Sequence, residues 1–170
     1  RQARKINRCM DKYPDRDVLM LVHMIDPHTP YAESRKYRNR FTDDTPEPFK
    51  KRSIAQKIIR KTLSEATTEA ERLEVEGYLI GRYDQNILAV DDAMGRILKH
   101  IGPQATVVFT SDHGEELFDH GGFTHGHTLY EEVVHVPLII RSPALEPSRV
   151  DSAVTLMDIV PTLLQLHSIP

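Results

Sequence analysis

Two short loops of this sequence contain the residues best suited to metal binding and acid–base chemistry. Asp112 and His113 place an oxygen ligand next to a nitrogen ligand, and Gly114 after them permits a sharp turn of the backbone. A carboxylate with an imidazole suits a divalent cation of intermediate hardness, or calcium if the remaining ligands are oxygens. His28 and His125 are imidazoles of the kind that donate protons or face a bound anion. These residue types therefore predict metal-assisted chemistry on an anionic substrate.

Three nearly unbroken apolar runs are available to position these loops. Residues 17–25, 105–110 and 136–140 each have the length and composition of a strand buried on both faces. Ligands of open α/β sheets bind beyond the carboxyl ends of the strands. The loops with His28 and Asp112 follow the first two runs. If these two strands run parallel, both loops lie at the same edge of the sheet.

A long amphipathic helix is predicted between the first two strands, over residues 68–100, ending at Gly102-Pro103. Apolar residues recur at three- and four-residue steps along one face of it. These residues are Ile80, Tyr83, Ile87, Val90, Met94, Ile97 and Ile101. The opposite face is predicted to meet solvent. It carries Arg82, Asp84, Asp91, Asp92 and Arg96.

Shorter helices are predicted at residues 3–12, 53–64 and 158–166, the second of them inside a polar and charged excursion at 33–65. Strands that alternate with helices are typical of the α/β class. We therefore predict a mostly parallel sheet with helices on both faces. The 170 residues suffice for one domain with a core of its own.

Composition narrows the classes of partner. A formal net charge of −3 provides no broad basic field for nucleic acid. No apolar run approaches the roughly 20 residues that cross a bilayer. The single Cys9 cannot form an internal disulfide.

The loop at residues 119–127 is rich in histidine and glycine, which permits close approach of the backbone to a ligand. A separate zinc site formed by its histidines is disfavoured because it lacks a cysteine partner and regular ligand spacing. The histidines concerned are His120, His125 and His127. Glu115 and Glu116, just before the loop, are expected to be solvated or to cap a helix.

Six segments, in this order along the chain, resemble the sulfatase family of the alkaline-phosphatase superfamily. They include His23-Met24-Ile25-Asp26-Pro27-His28, Ser111-Asp112-His113-Gly114-Glu115 and Thr128-Leu129-Tyr130-Glu131-Glu132. In full they span residues 21–31, 83–96, 109–115, 126–132, 136–139 and 158–164. Each is weak alone, but together they cover most of the chain in register. The resemblance implies an alkaline-phosphatase-like fold and hydrolysis of a small-molecule or glycan sulfate ester.

The resemblance also implies a role for each candidate residue. Asp112 and His113 match the downstream metal-ligand pair of the family, which implies a divalent metal, with Ca²⁺ preferred. His28 matches the histidine that contacts the sulfate or its leaving oxygen. His125 stands where relatives place Lys or His, and should touch the anion and protonate the departing alcohol. His127 stands where Asn or Thr is usual, which leaves its role open.

Two elements of the family pattern are missing from these residues. The Cys/Ser-x-Pro-x-Arg motif that yields the formylglycine nucleophile is absent, and residues 145–149 imitate only its second half. The paired aspartates that complete the family's metal site are absent too. We therefore expect residues 1–170 to be part of a catalytic domain without its N-terminal portion, and to be inactive alone.

Two alternatives remain open at this point. A phosphonate or phosphodiester hydrolase, or a phosphoglycerol transferase, of the same superfamily is compatible with Asp112-His113 and would use Mn²⁺, Mg²⁺ or Zn²⁺. A non-enzymatic metal-binding module predicts instead that His28 and His125 point away from that pair.

Overall fold

The computed structural model contains two compact units, residues 1–101 and 102–170. The first is mainly helical, and the second is built from short strands, loops and two helices. Part of the excursion predicted at 33–65 lies outside the described residues. The residues that the structure describes are 2–14, 16–32, 35–38, 40–42, 53–54 and 56–170.

In the first unit, α1 (Gln2–Met10), α2 (Gln56–Glu65) and α3 (Glu69–Ile101) confirm the three predicted helices within a few residues. Two-residue strands β1 (Tyr31–Ala32) and β2 (Ser53–Ile54) pair antiparallel, with Tyr31 opposite Ile54. Helix α1 packs against α3. The core of the unit is small. Its buried apolar side chains are Tyr31, Ile59, Val75, Tyr78, Leu79 and Ile97.

Local signals fix both ends of α3. The Thr68 hydroxyl accepts the Glu71 N–H at 3.2 Å, and the Glu71 carboxylate accepts the Thr68 N–H at 3.1 Å, which is a capping box. Hydrogen bonds from Thr67, followed by those from Thr68, lower the pKa of Glu71. After Ile101, Gly102 adopts a φ of +71°, the left-handed conformation that commonly ends a helix.

The buried face of α3 differs from the one predicted. Arg82 is buried rather than solvated, whereas Ile87 is exposed. The Arg82 guanidinium donates to the carbonyl of Tyr31 at 2.7 Å and to the hydroxyl of Tyr78 at 3.0 Å. Gln85 likewise donates to the carbonyl of Tyr37 at 2.8 Å. This face covers irregular backbone whose carbonyls need donors, so polar residues are buried where the apolar periodicity alone predicts exposure.

Gly81 allows that irregular backbone to approach α3 closely. A Cβ at this position would lie 2.6 Å from the carbonyl oxygen of Phe41 and 2.7 Å from a methyl of Thr42. Both distances are shorter than any stable carbon contact. Because glycine has no side chain, residues 40–42 can pack closely against α3 at this position.

Residues 17–25 do not form the predicted buried strand. Within the described part of the chain these residues join no sheet, and exposed and half-buried residues alternate only from Leu19 to Ile25. Leu19 and Leu21 are 92% and 94% exposed. The alternation is that of a strand with one covered face, but a strand requires a hydrogen-bonded neighbour, and none of the described strands provides it.

The second unit contains two of the predicted strands, β3 (Val107–Thr110) and a strand at Leu138–Arg141. They pair with each other antiparallel, Val107 opposite Arg141 and Thr110 opposite Leu138. The three strand pairs within the described residues are all antiparallel. The described residues combine helices with small antiparallel sheets, which does not confirm the predicted mostly parallel sheet with helices on both faces.

Between these strands lie a small hairpin and a helical turn. Strands β4 (Glu116–Leu117) and β5 (Phe123–Thr124) form the hairpin, and α4 (Glu131–Val134) follows it. The strand at 138–141 is therefore β6. The chain continues to α5 (Ile159–Leu166), which confirms the predicted C-terminal helix.

Candidate functional site

The loop after β3 is packed against α4 through backbone contacts at Gly114. The Gly114 N–H donates to Val133 at 2.7 Å, and the Glu115 N–H donates to Glu132 at 3.0 Å. A Cβ on Gly114 would lie 2.1 Å from the carbonyl oxygen of Glu132. The sequence suggested a sharp turn as the reason for this glycine. The structure gives another reason, the close approach of two backbones.

Asp112 and His113 form a neighbouring carboxylate and imidazole at the end of β3. His113 Nε2 lies 3.9 Å from Asp112 Oδ1, and the Asp112 side chain is 79% exposed. The other ring nitrogen, Nδ1, donates to the carbonyl of Gly114 at 2.7 Å. Metal-binding histidines are typically oriented by such a bond from the second nitrogen. The donor set therefore fits two of the ligands of a divalent cation, with Nε2 as the metal-facing nitrogen.

His125 lies against His113. The centroids of the two imidazole rings are 4.0 Å apart. Nδ1 of His125 donates to Glu115 Oε1 at 2.7 Å, and the Glu115 side chain is only 4% exposed. A buried carboxylate therefore orients this ring and favours a proton on Nδ1. Three of the four predicted site residues, Asp112, His113 and His125, are thus close together.

Glu116 is a buried carboxylate of the hairpin that accepts several hydrogen bonds. Its carboxylate accepts the Gly122 N–H at 2.7 Å, His127 Nε2 at 3.0 Å and the Thr128 hydroxyl at 3.3 Å. Burial alone would raise the pKa of Glu116, but the bonds from Gly122 and His127 outweigh it and lower the pKa. His127, whose role the sequence left open, thereby contacts Glu116.

The expectation that Glu115 and Glu116 are solvated or cap a helix is wrong. Both are buried, and each accepts a hydrogen bond from a histidine of the loop at 119–127. The signal that could have indicated this is the hairpin itself. Once Glu116 is placed opposite Thr124, the two glutamates face the two histidines that flank Gly126.

The third histidine of the loop has a carboxylate partner as well. His120 Nδ1 donates to Glu132 Oε1 at 2.7 Å, and its ring stacks on Tyr130 with the centroids 3.8 Å apart. Each of the three histidines of this loop is thus bonded to a different glutamate.

His28 belongs to the other compact unit, in the turn after residues 17–25. It is exposed, its N–H donates to the carbonyl of Ile25 at 2.9 Å, and its Nδ1 bonds to the carbonyl of Thr29. The peptide bonds Asp26–Pro27 and Thr29–Pro30 that flank it are cis. Its convergence with Asp112 and His125 stays a prediction.

The chain combines helices and strands with a carboxylate–imidazole pair at the end of a strand, and a second imidazole lies against that pair. These features define a class of proteins with a candidate metal site. The sulfatase family model matches residues 3–169, and the chain belongs to the sulfatase family. Members of this family generally bind a divalent metal.

Several curated proteins are similar to parts of the chain. An uncharacterized sulfatase, YidJ, of Escherichia coli is 38% identical over 84 residues, covering 47% of this chain and 17% of that protein. Arylsulfatase K of Bos taurus is 38% identical over 86 residues, covering 47% and 16%. Arylsulfatase K of Xenopus laevis is 31% identical over 108 residues, covering 60% and 19%. The chain spans less than a fifth of the length of these relatives.

No solved structure gives a significant match to the chain. Among the described residues, no helix has both the length and the apolar character that crossing a membrane requires.

Proposed function

We propose that this chain supplies two metal ligands and the acid group of a sulfuric-ester hydrolase. The observation that supports the proposal is the contact between the His113 and His125 rings, because the proposed proton donor then lies beside the proposed metal ligands. The curated relatives, named as sulfatases, support the same reaction class. The substrate class that we propose is a small-molecule or glycan sulfate ester.

His125 is the proposed general acid. Glu115 holds the Nδ1 proton, so the imidazolium form of His125 carries its transferable proton on Nε2. As the bond between sulfur and the ester oxygen breaks, this proton passes to the departing alcohol, which leaves neutral instead of as an alkoxide. Glu115 acts only through His125 and is a positioning residue.

Asp112 and His113 are the proposed metal ligands, with His113 using Nε2. The bound cation would offset negative charge on the oxygens of the sulfate group. We propose Ca²⁺ because of the family, with oxygen ligands completing the site beyond these two residues. His28 is proposed to contact the same sulfate group, or its leaving oxygen, from the loop after residues 17–25.

The nucleophile is proposed to lie outside these 170 residues, because no Cys/Ser-x-Pro-x-Arg motif for formylglycine occurs among them. We infer that residues 1–170 are part of a larger catalytic domain of the alkaline-phosphatase type, in whose mostly parallel sheet residues 17–25 would be a strand. The phosphorus-ester alternative is not favoured, since the matching relatives are named as sulfatases.

The test compares the complete gene product that contains these residues with the 170-residue chain alone. With Ca²⁺ present, we expect the complete protein to hydrolyse 4-nitrophenyl sulfate faster than bis(4-nitrophenyl) phosphate, and the chain alone to hydrolyse neither. Preference for the phosphodiester would overturn the sulfatase assignment. Turnover by the chain alone would overturn the proposal that the nucleophile lies elsewhere.

A further inference from the structure

Three side chains with metal-ligand atoms converge beside the hairpin, and none belongs to the residues assigned above. Glu116 comes from β4, His120 from the hairpin turn and Glu132 from α4. One ligand atom from each lies within 4.8 Å of the other two. In sequence they are 4 and 12 residues apart, so the convergence depends on the fold of this unit.

Glu116 is held as metal-binding carboxylates are, by hydrogen bonds to both of its oxygens. Gly122 donates to Oε1, whereas His127 and Thr128 donate to Oε2. With a further contact from the His120 backbone N–H, these donors face all of the roughly four lone-pair positions of a carboxylate, so a cation would bind by displacing the longest of the bonds, that of the Thr128 hydroxyl at 3.3 Å. Any larger residue at 122 would collide with it, since a Cβ there lies 2.6 Å from Oε1. Such outer contacts orient ligands and are a regular part of metal sites.

His120 and Glu132 form the more adaptable side of the cluster. The His120 ring is fixed by stacking on Tyr130, and its Nδ1 lies 2.7 Å from Glu132 Oε1. The His120 side chain is 47% exposed, so a cation can reach it from solvent. A cation between the two would replace the Nδ1 proton, and the ring would bind it as the Nε2–H tautomer, its proton having moved through solvent from Nδ1 to Nε2.

We propose that Glu116, His120 and Glu132 bind a divalent cation of the zinc type, separate from the ion held by Asp112 and His113. Two carboxylates neutralise a doubly charged cation, and one nitrogen with two oxygens is a mixed donor set that zinc accepts. Zinc–ligand bonds of about 2.1 Å place tetrahedral ligand atoms roughly 3.4 Å apart. The cluster reaches that spacing by rotation of the exposed His120 and of Glu132, and water completes the tetrahedron.

The experiment is calorimetric titration, with Zn²⁺ alone, of the complete gene product that contains these residues. The starting protein carries Asp112→Ala and His113→Ala, so that the first metal pair cannot contribute. We expect one Zn²⁺ per chain, with a Kd on the order of micromolar. Adding His120→Ala or Glu132→Gln should weaken binding by roughly 100-fold because a ligand is lost. His135→Ala, which changes an exposed histidine outside the cluster, should leave binding unchanged.

Thermal unfolding gives a second measurement that does not depend on these variants folding well. Excess Zn²⁺ should raise the Tm of the Asp112→Ala/His113→Ala protein, because a ligand that binds only the folded state stabilises it. Absence of bound Zn²⁺ and of a Tm shift in that protein would overturn the proposal. Unchanged affinity in the folded His120→Ala and Glu132→Gln variants would also overturn it, by showing that other groups bind the metal.

Discussion

Every histidine in the loop at 119–127 is bonded to a glutamate, and the pairing sorts their roles. His125 is held by Glu115 and faces the ring of His113, so it is the one beside the proposed sulfatase metal pair. His120 is held by Glu132 and belongs to the second cluster, whereas His127 bonds to Glu116 from outside that cluster. A carboxylate partner fixes both the rotation of a ring and the nitrogen that carries its proton.

We predict that His125→Asn in the complete enzyme removes the proposed general acid. Loss of the acid should lower kcat for an unactivated alkyl sulfate by roughly 10²- to 10⁴-fold. The loss should be much smaller for 4-nitrophenyl sulfate, whose leaving group departs without a proton. Steady-state kinetics on the two substrates measures the difference.

The matched control is His135→Asn, an exposed histidine of the same unit, which should leave both rates unchanged. Equal losses on both substrates in His125→Asn would contradict the acid role and point to anion binding instead.

Among the elements, α3 shows what periodicity can and cannot predict. Its position and both of its ends follow from local features, namely the capping box at Thr68 and the glycine at 102. Its buried face does not, because the donors Arg82 and Gln85 serve carbonyls about 50 residues away in sequence. Burial of a polar residue depends on a distant acceptor that its neighbours in the helix do not reveal.

Two glycines of α3 provide an internal comparison. A Cβ at Gly95 meets nothing within 4 Å, whereas one at Gly81 would lie 2.6 Å from the Phe41 carbonyl. We expect Gly95→Ala to raise the free energy of unfolding by about 1 kcal/mol, through helix propensity alone. Gly81→Ala gains the same propensity but overpacks the contact, and should lower stability by roughly 1–3 kcal/mol.

Urea unfolding followed by circular dichroism measures both changes. If Gly81→Ala stabilises the chain as much as Gly95→Ala does, then residues 40–42 do not pack against α3 as described.

For the molecule as a whole, the sequence predicts more of the second unit's site than of the first unit's sheet. Asp112, His113 and His125 are brought together by one strand end and one hairpin, which are local structures. The strand at 17–25 is different, because sheet membership requires a partner strand and none of the described strands pairs with it. An apolar run shows that a segment can form a strand. It does so only where another strand is available to pair with it.

The stability of the folded chain at low pH depends on several charged groups of the first unit that surround Asp92. A hydrogen bond from Lys36 is the largest cause that lowers the pKa of Asp92 far below its usual value, and Tyr37 and Arg96 lower it further. A carboxyl group with a lowered pKa in the folded state adds stability above its unfolded pKa, near 4. That stability is lost as the pH falls from about 4 towards the folded pKa. Lys36, whose pKa the same bond raises, adds stability that is fully present at these pH values.

We therefore predict that Asp92→Asn removes part of the decline in stability below about pH 4, because a neutral amide has no proton to take up. Asp91→Asn, at the exposed neighbouring position, should leave that decline unchanged. The measurement is the unfolding free energy from urea titrations between neutral and acidic pH for wild type and both variants. Parallel curves for wild type and Asp92→Asn would contradict the ion pair between Lys36 and Asp92, which joins residues 35–38 to α3. If only Asp92→Asn loses less stability on acidification than wild type, the difference measures how much of the acid sensitivity comes from the contact between Lys36 and Asp92.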